Sequence, residues 1–146
     1  MPADYPLEVR RAPLRCPPDV PGLVSVNLVD QAVDAEKGGI WVRFFGRPIP
    51  VSAAPAFFAA KAKAPIAVAW SRPLSCGRYR CEVVDVVSPE EARDVWATTQ
   101  RCAADIERIV RRHPSCWLLK YNMYGIHPFE KDVAALAARE AKARKQ

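Results

Sequence analysis

The chain is organised around the stretch Ile40-Trp41-Val42-Arg43-Phe44-Phe45-Gly46-Arg47-Pro48-Ile49-Pro50. Its apolar run predicts a short strand that ends at the glycine, because the two prolines cannot continue a central hydrogen-bonded ladder. Arg43 and Arg47 flank the aromatic pair, so guanidinium donors and apolar rings meet at one strand end. This mixture suits a ligand with an anionic head and an apolar body. The alternative is an aromatic core strand with arginines at its solvent edge.

Length, composition and charge indicate one globular domain with a preference for anions. The 146 residues suffice to bury a core, and half of them are hydrophobic while 26% are charged. A net charge of +6 and a pI near 9.3 favour phosphate-bearing lipid, a membrane surface or nucleic acid as partners. No apolar run approaches the roughly 18 residues that span a bilayer, and residues 1–19 lack the apolar segment of a signal peptide. We therefore expect a cytoplasmic protein, with peripheral contact to the inner face of the cell membrane left open.

The cysteines and histidines predict neither a metal site nor a cofactor. No Cys-x-x-Cys pair occurs, and the chain has only two histidines, which argues against structural zinc. Reduced and mostly buried thiols are the expectation for the five cysteines, which are Cys16, Cys76, Cys81, Cys102 and Cys116.

Three segments are expected along the chain. Residues 1–22 contain six prolines and three arginines, which predicts an extended basic leader. Residues 23–122 carry the alternating strand and helix patterns of one α/β domain. Residues 123–146 predict an alanine-rich C-terminal helix, opened by Pro128, with a basic tail.

Within the central segment the patterns predict strands at 23–29, 66–70 and 78–87, and helices at about 53–64 and 88–112. The strand at 23–29 is apolar at most positions, as expected for a strand covered on both faces. Asp30 and Gln31 follow it, at the strand end where open α/β sheets place ligands. A turn-forming aspartate is the alternative for Asp30. Ser88-Pro89-Glu90-Glu91 has the cap, proline and acidic first turn of a helix start.

The order of these pieces resembles the lipid A biosynthesis lauroyl/myristoyl acyltransferase family, within the lysophospholipid acyltransferase superfamily. The resemblance covers residues 20–120. Its elements are the strand ending in Asp30-Gln31, Phe44-Phe45-Gly46-Arg47-Pro48, Ala64-Pro65-Ile66, Gly77-Arg78-Tyr79, and the helix closing on Arg112-His113-Pro114 with Trp117. It implies a mixed β-sheet flanked by helices, like the C-terminal half of the family's α/β sandwich. It also implies fatty acyl transfer from acyl carrier protein or acyl-CoA to the hydroxyl of an anionic lipid.

The resemblance implies a catalytic histidine paired with an acid in a His-x-x-x-x-Asp/Glu motif ahead of the Asp-Gln strand, the histidine acting as general base. No histidine precedes Asp30 in this chain. We therefore expect a likeness to the C-terminal half of such an enzyme, inactive alone, which leaves open a separate N-terminal catalytic half as a partner. No catalytic residue is assigned. The expected substrate-binding residues are Asp30, Gln31, Arg43, Phe45, Gly46 and Arg47.

One sequence matches the motif literally, from His127 to Asp132, but near the C-terminus. Helix-start rules already explain it, because Pro128 suits a first turn and Asp132 favours the helix dipole there. A rearranged active site is the other interpretation.

The rival function is a small basic module that binds anionic membrane or nucleic acid. No helix-turn-helix, zinc or base-stacking motif supports sequence-specific nucleic-acid binding.

Overall fold

The computed structural model describes residues 24–29, 31–117 and 124–144. Its helices and strands, with the labels used below, are β1 (Gly39–Phe44), β2 (Arg47–Ser52), α1 (Ala54–Ala62), β3 (Ile66–Pro73), β4 (Tyr79–Val87), α2 (Val95–Arg112) and α3 (Glu130–Ala143). The predicted α/β class is confirmed. The leader, Leu23 and Asp30 lie outside the described residues.

In the described residues the strands form two separate antiparallel hairpins, β1–β2 and β3–β4, in place of one mixed sheet. Short connections explain this arrangement, because a parallel pair needs a crossover of a dozen or more residues. The strand predicted at 23–29 is wrong where it can be checked, since residues 24–29 form no regular structure. Val24, Val26 and Leu28 are 80%, 85% and 73% exposed. No ladder or covering layer in the described part of the chain supplies the partners that a doubly covered strand requires.

The prolines after Gly46 do not end the sheet, contrary to the prediction. The chain reverses at Phe45–Gly46 and continues as β2, with Arg43 opposite Pro48 and Trp41 opposite Pro50. A two-residue turn makes Phe44 and Arg47 a hydrogen-bonded pair, so both prolines fall at the alternate positions whose nitrogens point away from β1. Their missing N–H groups therefore cost the ladder nothing.

The first hairpin and α2 build the main core. Val42, Phe44, Ile49 and Val51 are buried together with Ala103 of α2. A second, smaller cluster joins Ala59 of α1 to Val87 and Ala92, with Ile66 beside it.

The helix predicted from Ser88 begins later but ends at Arg112 as expected. The predicted cap at Ser88 forms as a capping box, because Glu91 N donates to Ser88 Oγ at 3.3 Å and Ser88 N donates to Glu91 Oε2 at 2.9 Å. It opens only a 3-10 turn, Glu91–Arg93. Asp94 then takes an extended conformation and its carboxylate accepts from Ala97 N at 2.9 Å, which starts α2 at Val95.

The remaining predicted elements agree more closely with the structure. Helix α1 ends at Ala62, and Ser52 Oγ accepts a hydrogen bond from Ala54 N at its start. Strand β3 runs three residues beyond its predicted end, to Pro73. Helix α3 begins at Glu130 rather than at Pro128 and buries Leu136.

Candidate functional site

The turn between β1 and β2 presents the central stretch of the sequence at one end of the molecule's main core. Phe45 and Gly46 both have positive φ, 47° and 75°. This backbone is the tight hairpin turn whose twist matches the flanking strands. Phe44 points into the core and is 1% exposed, while Phe45 packs in the turn with its ring 6.2 Å from Trp117 and stacked on it.

Side chains of α2 hold the outer edge of β1. Trp96 Nε1 donates to Trp41 O at 3.0 Å, and Gln100 bonds both backbone groups of Arg43, accepting from N at 2.7 Å and donating to O at 2.9 Å. Four helical residues rise about 6 Å, close to the roughly 6.7 Å spanned by two strand residues, so the two rows match. Glu107 extends the row by accepting from Phe45 N at 2.7 Å. The turn is thereby fixed to the helix through its backbone.

Three arginines surround this turn, and the structure uses them differently. Arg43 makes a bidentate ion pair with Glu140 of α3, at 2.7 and 3.0 Å, and donates to Gly46 O at 3.1 Å. The hydrogen bond to Arg43 lowers the pKa of Glu140. Arg43 therefore ties α3 to the turn.

Arg111 lies over the Phe45 ring at 4.8 Å and bonds Glu107 through Nε and Nη2. Arg47 lies over the Tyr124 ring at 4.7 Å. Burial raises the pKa of Tyr124, and the positive charge of Arg47 acts in the opposite direction. Arg47 makes no ion pair with a carboxylate of the described residues. We call Phe45, Gly46, Arg47, Arg111 and Tyr124 the turn cluster.

The structure brings together Arg43, Phe45, Gly46 and Arg47, but it places Gln31 elsewhere. Gln31 precedes Ala32, which bridges Val51 near the other end of β2. Val51 lies four residue steps along β2 from Arg47, which corresponds to roughly 13 Å. Asp30 lies outside the described residues.

A second charged cluster lies where α2 packs against β4. Arg101 makes a bidentate ion pair with Asp85, at 2.6 and 2.9 Å, and a further one with Glu91 at 2.7 Å. These contacts hold the pKa of Asp85 well below its usual range. Asp105 is 5% exposed, and burial together with the neighbouring Asp85 raises its pKa to about 6. No sequence pattern indicates the pairing of Asp85 with Asp105, because these residues come from different elements.

Neither histidine forms a catalytic acid–base pair with a carboxylate of the described residues. His113 caps the C-terminus of α2 and its ring stacks on Trp70 at 4.7 Å. The carboxylate of Asp132 accepts from Phe129 N at 3.0 Å, within the first turn of α3, as the helix-start interpretation predicts. His127 is exposed.

Sequence reasoning missed the residues that support the turn. Trp96, Gln100, Glu107 and Arg111 recur at spacings that place them on one face of α2. The helical period of these residues could be recognised in the sequence. The backbone of β1, with which several of them form hydrogen bonds, could not be inferred from it. Tyr124 and Glu140 carried no pattern that linked them to the turn.

Comparison with known protein families gives a match over the central part of the chain. A model of an acyltransferase family matches residues 22–122, which is more than half of the chain. The chain belongs to that family, the bacterial lipid A biosynthesis acyltransferases. The family inferred from the order of the sequence motifs is thereby confirmed, and an acyltransferase-like function follows in general terms. No curated protein matches the chain. Among the described residues, no helix is long and apolar enough to cross a membrane.

Proposed function

We propose that this chain binds the anionic head group of a lipid substrate of lipid A acyl transfer at the turn cluster. The observation that carries the proposal is Arg47, whose guanidinium lies over the Tyr124 ring beside the Phe45–Gly46 turn. Attraction between the cation and the ring does not occupy all five N–H donors of the guanidinium, so donors remain for phosphate oxygens. The ring also reduces the freedom of the side chain, which lowers the entropy lost on binding.

The other members of the cluster have supporting roles in this proposal. Arg111 adds positive charge, although Glu107 occupies two of its donors. Gly46 lets a ligand approach the backbone, because no atom lies within 4 Å of where its Cβ would stand. Arg43, which is not a member of the cluster, is paired with Glu140 and positions the turn. The acyl donor, acyl carrier protein or acyl-CoA, also carries phosphate and would meet the same positive charge.

The test compares Arg47→Ala with Arg93→Ala, an exposed arginine in the 3-10 turn before α2. The ligand is a short-chain phosphatidic acid that stays monomeric, measured by calorimetry. Loss of a charge-assisted hydrogen bond is worth about 1.5–3 kcal/mol, so Arg47→Ala should weaken binding roughly tenfold or more. Arg93→Ala should leave the affinity unchanged. Equal losses in both variants would show that net charge alone governs binding, as in the basic-module interpretation.

We further propose that neither histidine of this chain acts as the catalytic base. His113 stacks on Trp70, and Asp132 is engaged in the first turn of α3 instead of orienting His127. Without a positioned base, general acid–base help of about 10²–10⁴-fold is lost.

An acyl-transfer assay with acyl carrier protein as donor and a lipid A precursor as acceptor tests this second proposal. The purified chain should give no more product than a control without protein. Turnover above that control that disappears in His127→Ala or His113→Ala, with the fold intact, would contradict it.

A further inference from the structure

The second hairpin, β3–β4, has an uncharged face directed to solvent. Alternate residues of each strand point the same way, and the register pairs them across the hairpin, with a bulge at Val84 that keeps the alternation in step. All eight side chains of this outer hairpin face are exposed: Ala67, Ala69, Ser71, Pro73, Tyr79, Cys81, Val83 and Val86. Tyr79, Val83 and Val86 are 70%, 60% and 56% exposed.

The opposite face of the same hairpin carries the charges and packs towards the protein. Arg72 pairs with Glu82 there at 2.8 Å, and Asp85 pairs with Arg101 of α2. Trp70 stacks on His113 on this side. Val68 and Val87 of this face are buried, whereas the exposed large apolar side chains of the hairpin, Tyr79, Val83 and Val86, all lie on the outer face. Exposed apolar side chains that are grouped on one face, and not scattered singly, are typical of an interaction surface.

We propose that the outer hairpin face lies in the interfacial region of an anionic lipid bilayer. The face resembles an interfacial amphipathic element, whose apolar side enters the boundary between head groups and acyl chains while cationic side chains stay at head-group level. Arg78 and Arg80 are exposed near the hairpin tip, where Arg80 lies opposite Arg72 and Arg78 directly precedes β4. Long arginine side chains at that level reach lipid phosphates, and tyrosine is favoured at membrane interfaces.

Size and charge favour a bilayer over a second copy of this chain. Eight-residue strands at roughly 3.3 Å per residue make the face about 26 Å long and about 10 Å wide, or roughly 260 Å². A stable protein–protein interface buries about 800 Å² on each partner. The net charge of +6 also opposes self-association and attracts an anionic surface.

This surface is separate from the turn cluster, although both concern lipid, so their tests must be distinguishable. Cys81 lies on the outer hairpin face and provides a natural site for an environment-sensitive fluorophore. The variant to be labelled carries Cys16→Ser, Cys76→Ser and Cys116→Ser, and retains Cys102, which is buried. The matched control carries Cys81→Ser in addition, with Ala137→Cys on the exposed side of α3 as its labelling site.

Vesicles of phosphatidylcholine mixed with phosphatidylglycerol should shift the emission of the Cys81 label to the blue and leave the α3 label unchanged. Salt should weaken the shift, and vesicles of phosphatidylcholine alone should give a smaller one. An unshifted Cys81 label, or equal shifts at both sites, would overturn the proposal. A Cys81–Cys81 disulfide or a dimer formed without vesicles would overturn it in favour of a second copy.

Val83→Asp provides a second test of the proposal. It places a charge on the outer hairpin face at an exposed position, so it does not disturb core packing. It should reduce vesicle binding at least tenfold and leave the affinity for monomeric phosphatidic acid unchanged, whereas Arg47→Ala should retain the blue shift of the Cys81 label. Retained vesicle binding in Val83→Asp would contradict the proposal. Loss of head-group binding only in Arg47→Ala would show that the two sites are independent.

Discussion

At the scale of single residues, Asp105 shows how one buried carboxyl group couples the protein to pH. Its Oδ1 accepts from Arg108 at 2.6 Å, while its buried Oδ2 accepts no hydrogen bond from the described residues. Asp85, Arg101, Arg108 and Cys102 surround it, and burial with the nearby Asp85 raises its pKa to about 6. A protonated Asp105 can donate a hydrogen bond to Asp85, which Arg101 keeps ionised.

The sign of the pH dependence follows from this pKa. An unfolded aspartate has a pKa of about 3.9, so between about pH 4 and pH 6 the folded state holds a proton that the unfolded state has released. This group's contribution to the free energy of unfolding is therefore present below about pH 4 and is lost as the pH rises to about 6. Asp105→Asn, which keeps a donor towards Asp85, should remove that decline. Urea denaturation across this range measures it; an unchanged pH profile in Asp105→Asn would contradict the assignment.

The residues of the turn cluster were only partly predictable at this scale. Arg47 and Phe45 stood out because charge and aromatic rings adjoin in the sequence. The different partners of Arg43 and Arg47 could not be predicted, because Glu140 and Tyr124 lie far along the chain and only tertiary packing brings them near.

At the scale of elements, α2 and β1 are joined through side chains that complete the strand's outer edge. Gln100 alone satisfies the N–H and the C=O of Arg43. Gln100→Leu keeps the approximate size of the side chain but removes the hydrogen-bond partner of the Arg43 N–H and C=O. The free energy of unfolding should therefore fall by about 2 kcal/mol. The measurement is urea denaturation of the variant against the original chain.

The control is Ala104→Leu, an exposed position of the same helix, which should change the stability by no more than about 0.5 kcal/mol. Equal effects at the two positions would show that the Gln100 bonds contribute nothing specific.

Element types were more predictable than strand pairing. Helical period and capping residues located α1, α2 and α3, although Asp94 displaced the start of α2. The prediction that the sheet ends before Pro48 and Pro50 failed. Proline disrupts a ladder only where its nitrogen faces the partner strand, and the type of turn decides which nitrogens do so. The mostly apolar residues 24–29 predicted a strand. A strand also needs a neighbouring strand to pair with, and the local sequence does not specify one.

At the scale of the whole molecule, the structure separates two surfaces with distinct chemistry. The turn cluster joins arginine donors to aromatic rings, and the outer hairpin face is uncharged. Family membership assigns neither surface a role, so the proposal for each surface depends on its own measurement.

Binding of an anionic head group at the turn cluster can be followed residue by residue in an amide NMR titration with monomeric short-chain phosphatidic acid. Because the ligand should contact the turn, we predict saturable shifts at Gly46, Arg47 and the Trp117 indole N–H. Gly77, at the tip of the other hairpin, should not shift. Shifts at Gly77 equal to those at Gly46, or none at Gly46 under saturating ligand, would contradict the claim.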